Sequence, residues 1–526
     1  MKKVFQNDKK IDGNINVIGY GKYRKKFIIG FLIIICILSI GLVRKVFQND
    51  TFYTIKIGEL IINNGIDMMD HFSFHANLAY TYPHWLYDAF IYLIYSSFGW
   101  TGLYISSMIL LMILLGFVFK VNRKITNNYS VSAFATIICA FAVGGFATTR
   151  AQLVSFIIFV LEIYFIESFL QNGRKKYLWG LLLLSLILCN IHVAVWPFYF
   201  ILYLPYLAEF VISWLNGKFK FSKNNKLKNF FKNKFVLEKN NNIKYLLIIM
   251  IISLGTGIFT PIGDTAYTYL IKTMLGNSQN YIEEHQMLSL VNSPFTIIIA
   301  FETLVLVFIS KVKLRDLFMI SGLVLMSIVS TRHLSLLALI GTLCFARLFS
   351  MFFDNFGFDI DDKIIKFFNK KIVCVVSFLF VTIIASLMLV NNMKSDFIDR
   401  EKYPVEAVKY IKDNIDIDNM RIFNEYNFGS YLILNDIPVF IDSRADLYTK
   451  QFSGFDYDIF DDYYYMAVKY QERFEFYGIT HVLIYKENKM LYSSLNNNDN
   501  YKILYEDEYF IFYEKLGKSD FIITFN

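Results

Sequence analysis

Residues 372–390 read IVCVVSFLFVTIIASLMLV, a run of 19 residues without a charge. A helix of that length spans the hydrocarbon core of a bilayer. Similar runs recur along the 526 residues, of which 55% are apolar and only 18% charged, whereas soluble globular proteins are about one-quarter charged. The sequence therefore predicts a polytopic α-helical membrane protein. It excludes a soluble enzyme, a disordered protein, a disulfide-rich secreted scaffold and a β-barrel, whose strands would be short and alternating.

The charges divide the chain into two parts. Residues 393–526 contain 15 Lys and Arg against 24 Asp and Glu, a net charge of −9. The totals of 52 and 44 leave 37 against 20 for residues 1–392, a net charge of +17. We therefore predict a basic membrane domain (1–392) followed by an acidic soluble domain (393–526). Basic loops between apolar runs are typical of cytoplasmic loops, and we predict no nucleic acid partner.

The apolar runs predict about eleven membrane spans. The first, 27–43, follows a basic segment and has no cleavage site after it, so we predict a retained helix with a cytoplasmic N-terminus. We assign 46–100 to a first outer loop with interfacial helices, including the amphipathic segment 85–98. The remaining spans are predicted at 101–119, 130–149, 151–170, 177–192, 193–215, 245–262, 295–310, 316–331, 334–350 and 372–390. This arrangement places every strongly basic loop on one side of the plasma membrane.

An alternative topology counts residues 84–98 as a full span, which would move Lys120 and Lys124 to the outer side. With an odd number of spans, the C-terminal domain is extracytoplasmic. Its pattern predicts a small α/β unit, with a helix at 405–412 and strands at 438–442, 480–485 and 509–513.

Polar residues concentrate at the predicted outer ends of the spans. Arginines on the outer side run against the positive-inside trend, and binding an anionic group is the simplest reason for them. Carboxylates at the same level could act as general bases. The candidate residues at these outer ends are Asp50, Asp70, His84, Asp88, Arg150, Gln152, Asn190, His192, Glu284, Arg332 and His333.

Each residue also has a structural interpretation. Asp50 could cap a helix that starts at Thr51, and Asp70 could start a turn. The histidines could be interfacial or hydrogen-bonded structural groups, because none has strong metal-ligand spacing. Arg150 and Arg332 could extend to lipid headgroups.

Several short motifs resemble one family. They are DTFY (50–53), DHFSF (70–74), HWL (84–86), RAQ (150–152), NIH (190–192), TPIG (260–263), FNEYNFGSY (423–431) and FIDSRAD (440–446), together with Glu284 and Arg332. In this order they resemble a bacterial branch of the GT-C superfamily of polyprenyl-phosphate-dependent membrane glycosyltransferases. The chain departs from that branch at His84, where a glutamate is usual, and at His71 and His285.

The resemblance implies transfer of a sugar from a polyprenyl-phosphate donor, with inversion, to an extracytoplasmic glycan, glycolipid or protein acceptor. Asp50 or Asp70 would be the catalytic base, and Arg150, Arg332 and His333 would bind the donor phosphate. The residues implied to line the cavity are Gln152, Asn190, His192, Glu284, His84 and Asp88. The resemblance also allows a divalent cation as cofactor, although the sequence does not define a metal site.

Two other functions fit the same composition. The chain could be a non-catalytic lipid-binding scaffold, or a component of cell-envelope polysaccharide assembly or export. A transporter fits less well, because few charges lie within the spans and no internal repeat is visible. An enzyme requires Asp50 or Asp70 to share one cavity with Arg150 or Arg332, whereas a scaffold does not.

Overall fold

The chain is mostly helical. The structure, a computed structural model, describes residues 15–219, 234–236, 238, 240–276, 286–287, 300, 303–304, 311–355 and 360–517. The longer helices up to residue 393 are α1 (Ile15–Leu42), α2 (Asn49–Asn64), α3 (Trp85–Thr126), α4 (Tyr129–Gly144), α5 (Ala151–Asn172), α6 (Lys176–Ile191), α7 (Trp196–Ile201), α8 (Leu204–Phe219), α9 (Ile243–Leu254), α10 (Thr265–Leu275), α11 (Leu314–Val329), α12 (Leu334–Asn355), α13 (Ile360–Phe368) and α14 (Lys371–Met393).

The described residues include six helices that are long and apolar enough to cross a membrane. A multi-pass membrane protein is therefore supported. The predicted number of about eleven spans stays a prediction, and the span predicted at 295–310 falls largely outside the described residues. The six helices are Tyr23–Leu42, Trp85–Thr126, Ala151–Asn172, Val193–Leu215, Thr331–Phe352 and Lys371–Met393.

The helix predicted at 85–98 and the span predicted at 101–119 are consecutive parts of one long helical element, α3, which is kinked between them at Gly99, where φ is 60° and ψ is −156°. That backbone conformation is accessible essentially only to glycine. The segment between the spans predicted at 245–262 and 295–310 contains the amphipathic helix α10, whose pattern is too short and too polar for a span.

Helices α1 and α14 lie side by side and run in the same direction. Just before α14, Asn369 Nδ2 donates to the carbonyl oxygen of Tyr23 in the first half of α1 (3.1 Å). At the other end, Asn392 Nδ2 in the last turn of α14 donates to the carbonyl oxygen of Val43, which follows α1 (2.9 Å). The chain that follows α1 and the chain that follows α14 therefore emerge at the same end of the bundle. This arrangement brings residues 43–84, which we call loop one and which include α2, next to the C-terminal region.

Buried ion pairs connect the helices at the opposite end of the bundle. Arg347 on α12 lies 3.0 Å from Asp316 on α11 and also pairs with Glu167 on α5. Removing one member of such a buried group would leave an uncompensated charge. This end of the bundle is therefore held by charge pairing as well as by apolar packing.

The C-terminal region, residues 394–517, contains a four-stranded sheet with helices around it. The strands are β1 (Ile422–Asn424), β2 (His481–Tyr485), β3 (Tyr501–Glu506) and β4 (Phe510–Lys515), in the order β1-β2-β4-β3. β1 and β2 are parallel, and the other neighbours are antiparallel. The helices are Val405–Asn414, Tyr426–Leu434, Lys450–Ser453, Ile459–Tyr464, Met466–Phe476 and Lys489–Asn496. The boundary at residue 393 stays a prediction.

The strand predicted at 438–442 is not part of this sheet. Val439 forms an isolated parallel bridge with Ser73 of loop one. Val439 N–H donates to the Phe72 carbonyl oxygen (3.1 Å), and Phe74 N–H donates to that of Val439 (3.2 Å). The apolar residues at 437–441 are buried, as in a strand, but their backbone pairs with loop one rather than with the sheet.

A buried ion cluster connects loop one to the C-terminal region. Arg444 Nη1 donates to Asp70 Oδ1 (2.6 Å), and Arg444 Nε and Nη2 donate to the two oxygens of Asp442 (2.8 and 2.7 Å). The side chains of Asp70 and Asp442 are fully buried. The guanidinium also lies over the rings of Phe72 and Tyr80, with its carbon 5.4 and 5.0 Å from their centroids. We call Asp70, Asp442 and Arg444 the ionic clamp.

Close packing of α2 against α3 fixes the other side of loop one. A Cβ atom on Gly58 would lie 2.1 Å from the Asp88 carbonyl oxygen and 2.7 Å from the Tyr92 Cβ. Only glycine allows the two helices to approach this closely.

We predict that Gly58→Ala destabilises the protein by about 1–3 kcal/mol, because the methyl group forces α2 and α3 apart. The thermal unfolding midpoint of the purified protein in detergent should fall. Gly116→Ala on α3, where a Cβ atom meets nothing within 4 Å, is the matched control and should leave the midpoint unchanged or slightly higher. Equal midpoints for the two variants would contradict the close approach.

We predict that Asp70→Asn destabilises the protein by about 3–5 kcal/mol, because it removes a charge that compensates buried Arg444. Burial alone would raise the pKa of Asp70, but Arg444 and Ser73 hold that pKa below its ordinary value. The stabilisation is therefore present above pH ~4 and lost as the pH falls below it. Asp67→Asn, at a half-exposed carboxylate of the same loop, is the control and should change the midpoint little. A midpoint of Asp70→Asn equal to that of the wild type at pH 7 would contradict the clamp.

Candidate active site

A cavity of about 1230 Å³ lies between the bundle, loop one and the C-terminal region. Its walls come from the first turns of α2 and α5, from the turns that precede α3, α7 and α12, and from the C-terminal region. Seven of the residues that the sequence predicts for the site line this one cavity: Asp50, His84, Arg150, Gln152, His192, Arg332 and His333.

Asp50 and Arg150 form an ion pair in the cavity wall. Asp50 lies in the first turn of α2, and Arg150 is the N-cap residue of α5. Arg150 Nη2 is 2.7 Å from Asp50 Oδ2, and each side chain is about a quarter exposed, 28% and 26%. Because α2 begins at Asn49, Asp50 is not at the capping position that the sequence allowed. The carboxylate is therefore oriented by a cation while it remains accessible from the cavity.

A carboxylate stabilises the charged form of one cavity histidine, His84. His84 Nδ1 lies 2.7 Å from Asp88 Oδ1, and its Nε2 lies 3.2 Å from the Tyr53 hydroxyl. Burial alone would lower the pKa of His84, but the Asp88 carboxylate outweighs burial and raises it. His192 Nδ1 lies 2.9 Å from the hydroxyl oxygen of Ser155. His84 can thus carry a positive charge at the cavity.

Arg332 and His333 lie on a short 3₁₀ turn before α12. Gln152 Nε2 donates to Ser335 Oγ (3.0 Å), and Ser335 Oγ donates to the Arg332 carbonyl oxygen (3.1 Å). His333 Nδ1 lies 3.0 Å from the Met326 carbonyl oxygen. These contacts connect the Arg332 turn to α5, which follows Arg150. The Arg332 side chain is exposed toward the cavity.

Three of the predicted site residues do not line the cavity in the structure. Asp88 lies behind His84 and is fully buried. Asn190 Nδ2 donates to the carbonyl oxygens of Leu186 and Phe259 (2.9 and 3.1 Å), so its amide connects helix ends. The carboxylate of Asp70 belongs to the ionic clamp, a placement that does not favour Asp70 as a catalytic base. Glu284 lies outside the described residues.

Sequence reasoning did not identify the residues of the C-terminal region that line the site. The cavity is lined there by Lys402, Tyr403, Tyr426, Asp446, Tyr463, Tyr464 and Tyr485, and by Tyr269 of α10. The Tyr269 hydroxyl donates to the Asp446 carboxylate, which joins α10 to this wall. The available signal was the position of Tyr426 and Asp446 within the two C-terminal motifs at 423–431 and 440–446.

Within the described residues, no group of three or more His, Cys, Asp or Glu side chains could hold a metal ion. Asp50 is paired with Arg150, and the His84 ring contacts Asp88 and Tyr53.

No family model matches the sequence, and no curated protein matches it. Solved structures do match the fold. The archaeal oligosaccharyltransferase AglB from Archaeoglobus fulgidus, solved in complex with an inhibitory peptide and a dolichol-phosphate, aligns with a TM-score of 0.57 at 11% identity, over 95% of this chain and 75% of that chain. ArnT from Cupriavidus metallidurans, solved bound to undecaprenyl phosphate, aligns with a TM-score of 0.52 at 9% identity, over 94% of this chain and 99% of that chain. Both neighbours belong to the GT-C superfamily, and the chain therefore has the GT-C fold that its motifs predicted.

Proposed function

We propose that this protein is an integral membrane glycosyltransferase that moves a sugar from a polyprenyl-phosphate donor to an acceptor on the extracytoplasmic side. The observation that carries the proposal is the shared cavity, which contains Asp50, Arg150 and Arg332 together. An enzyme requires this convergence, and a lipid-binding scaffold does not. The two similar structures contain a dolichol-phosphate and undecaprenyl phosphate, which supports a lipid phosphate as the donor carrier.

The charge of the cavity suits an anionic donor. Four cations line it, Arg150, Arg332, Lys402 and Arg444, against the carboxylates of Asp50 and Asp446. Arg444 is already compensated within the ionic clamp. Asp50 already pairs with Arg150, and Asp446 accepts a hydrogen bond from Tyr269. A guanidinium binds phosphate by charge-assisted hydrogen bonds. We assign donor phosphate binding to Arg332, with Arg150 and His333 beside it.

Asp50 is the proposed general base. As the acceptor hydroxyl oxygen attacks the anomeric carbon, the Asp50 carboxylate takes the hydroxyl proton. The bond between that carbon and the phosphate oxygen breaks, and its electron pair leaves with the lipid phosphate. Arg332 stabilises the negative charge that develops there. Attack opposite the leaving group inverts the anomeric carbon, and Asp50 then returns its proton to water.

The distribution of basic residues supports an extracytoplasmic cavity. Arg150 begins α5 at the cavity, whereas Arg174 and Lys175 follow the other end of that helix. His84 precedes α3 at the cavity, and Arg123 and Lys124 lie in its last turn. Lysine and arginine concentrate in cytoplasmic loops. We therefore place the N-terminus in the cytoplasm, and the cavity and the C-terminal region outside the plasma membrane.

We predict that Asp50→Asn lowers transfer by about 10²-fold or more, because asparagine cannot accept the proton. The lost ion pair is partly exposed and should reduce stability by about 1 kcal/mol or less. The measurement is comparative lipid and cell-wall glycan analysis of a deletion strain complemented with each variant at matched membrane levels. Wild type and the loop-one control Asp67→Asn should restore the missing glycan, and Asp50→Asn should not. Full restoration by Asp50→Asn would exclude Asp50 as the base.

We predict that Arg332→Gln weakens use of the lipid-phosphate donor while sparing expression, because it removes a charge-assisted phosphate contact. Binding of undecaprenyl phosphate to the purified protein should weaken by about tenfold or more. Arg400→Gln, at an exposed surface ion pair, is the matched control and should bind like the wild type. Normal binding and transfer by Arg332→Gln would exclude Arg332 as the donor phosphate ligand.

A further inference from the structure

A second cavity, of about 380 Å³, lies on the other face of α2. None of its ten lining residues is shared with the large cavity. Asp50, Tyr53 and Thr54 of α2 face the large cavity, whereas Lys56 and Glu59 face the second one. The remaining walls come from the first part of α3, from the chain after α14 and from the end of the helix Tyr426–Leu434.

Aromatic rings form one side of this second cavity. Tyr92, Tyr95, Trp100 and Tyr431 all line it. Trp100 directly follows the helix break at Gly99, and its ring centroid lies 4.7 Å from that of Tyr95. Aromatic faces of this kind pack against the apolar C–H face of a sugar ring.

Polar groups of both hydrogen-bonding kinds form the other side. Lys56 Nζ lies 2.6 Å from Glu59 Oε2 and 2.6 Å from Asp436 Oδ1. Lys56 can only donate hydrogen bonds, Glu59 can only accept them, and the Asn435 amide can do both. A hydroxyl-rich ligand can use this combination.

The charges of the second cavity favour a neutral ligand. Lys56 is already paired with the carboxylates of Glu59 and Asp436, so a phosphate would be repelled by Glu59 next to the lysine. An ammonium group would be repelled by Lys56. The volume lies near the lower end of the range for small-molecule sites and fits a short glycan rather than a lipid chain.

The surface next to the second cavity indicates where such a ligand comes from. Phe90, Leu93 and Phe98, on the same part of α3 as Tyr92 and Tyr95, are 53%, 50% and 72% exposed. Large exposed apolar side chains beside tyrosine and tryptophan are typical of the interface between a membrane and water. A glycan that extends along the membrane surface would reach the cavity there.

We propose that the second cavity binds one or two units of a neutral glycan, through ring stacking on Tyr95 and Trp100 and hydrogen bonds to Lys56 and Glu59. This site is separate from the transfer site and does not depend on the catalytic role of Asp50. Its ligand would lie across α2 from the reacting groups.

The test is a tryptophan fluorescence titration of the full-length protein, purified in a detergent without a sugar headgroup. Cellotriose, maltotriose and triacetylchitotriose are the neutral probes, and choline chloride represents an ammonium ligand. At least one trisaccharide should change the fluorescence in a saturable way, and choline should not. Tyr95→Ala should raise the half-saturating concentration by about tenfold, and Trp100→Phe should abolish the response.

Two variants locate the response. Trp179→Phe changes an exposed tryptophan on α6 and should keep the full response. Asp50→Asn should also keep it, whether or not that variant transfers sugar, so the outcome is independent of the proposed function. The proposal is wrong if no trisaccharide gives a saturable change, if only choline does, or if the response persists in Trp100→Phe and Tyr95→Ala.

Discussion

The architecture around the large cavity depends on the ionic clamp between loop one and the C-terminal region. A buried guanidinium is stable only when carboxylates compensate its charge, and Arg444 has one carboxylate from its own region and one from loop one. Asp70 and Arg444 lie 374 residues apart in the chain. Their pairing therefore joins loop one to the C-terminal region, two segments that emerge at the same end of the membrane bundle. The backbone bridge between Ser73 and Val439 extends the same junction.

Helix α2 fixes the position of the proposed catalytic base, Asp50, relative to the ionic clamp. It is held on one side by α3, through the contact at Gly58, and on the other by the C-terminal region, where Asn49 Nδ2 donates to the Tyr426 carbonyl oxygen (2.8 Å). Asp50 lies in the first turn of this fixed helix, and its partner Arg150 is the N-cap residue of α5 in the bundle. The accessible carboxylate thus has a position set by rigid elements, as a general base requires. At 9–11% identity to the similar structures, the fold is what this chain shares with them.

The sequence predicted what depends on local pattern and membrane physics. Apolar runs located α5, α12 and α14, and the unusual placement of Arg150 and Arg332 indicated a polar site at one end of the bundle. The sequence did not predict that Asp70 pairs with Arg444, because no local sequence pattern connects a turn residue to an arginine so far away in the chain. The residues at 438–442 have a strand pattern, but that pattern does not say whether the partner is a sheet or a loop. The tyrosines of the C-terminal region that line the large cavity were not predicted. Tyr403, Tyr426 and Tyr485 come from separate segments, which only tertiary packing brings together.

The central claim is that the cavity at this junction binds a lipid phosphate beside Asp50. The most direct measurement is a cryo-electron microscopy structure of the full-length protein with undecaprenyl phosphate. We expect the phosphate within ion-pair distance of Arg332, in the cavity that Asp50 lines, with the lipid chain extending between the helices. Phosphate density elsewhere, for example beside Arg315 and Arg347 at the opposite end of the bundle, with the cavity around Asp50 empty, would contradict the account.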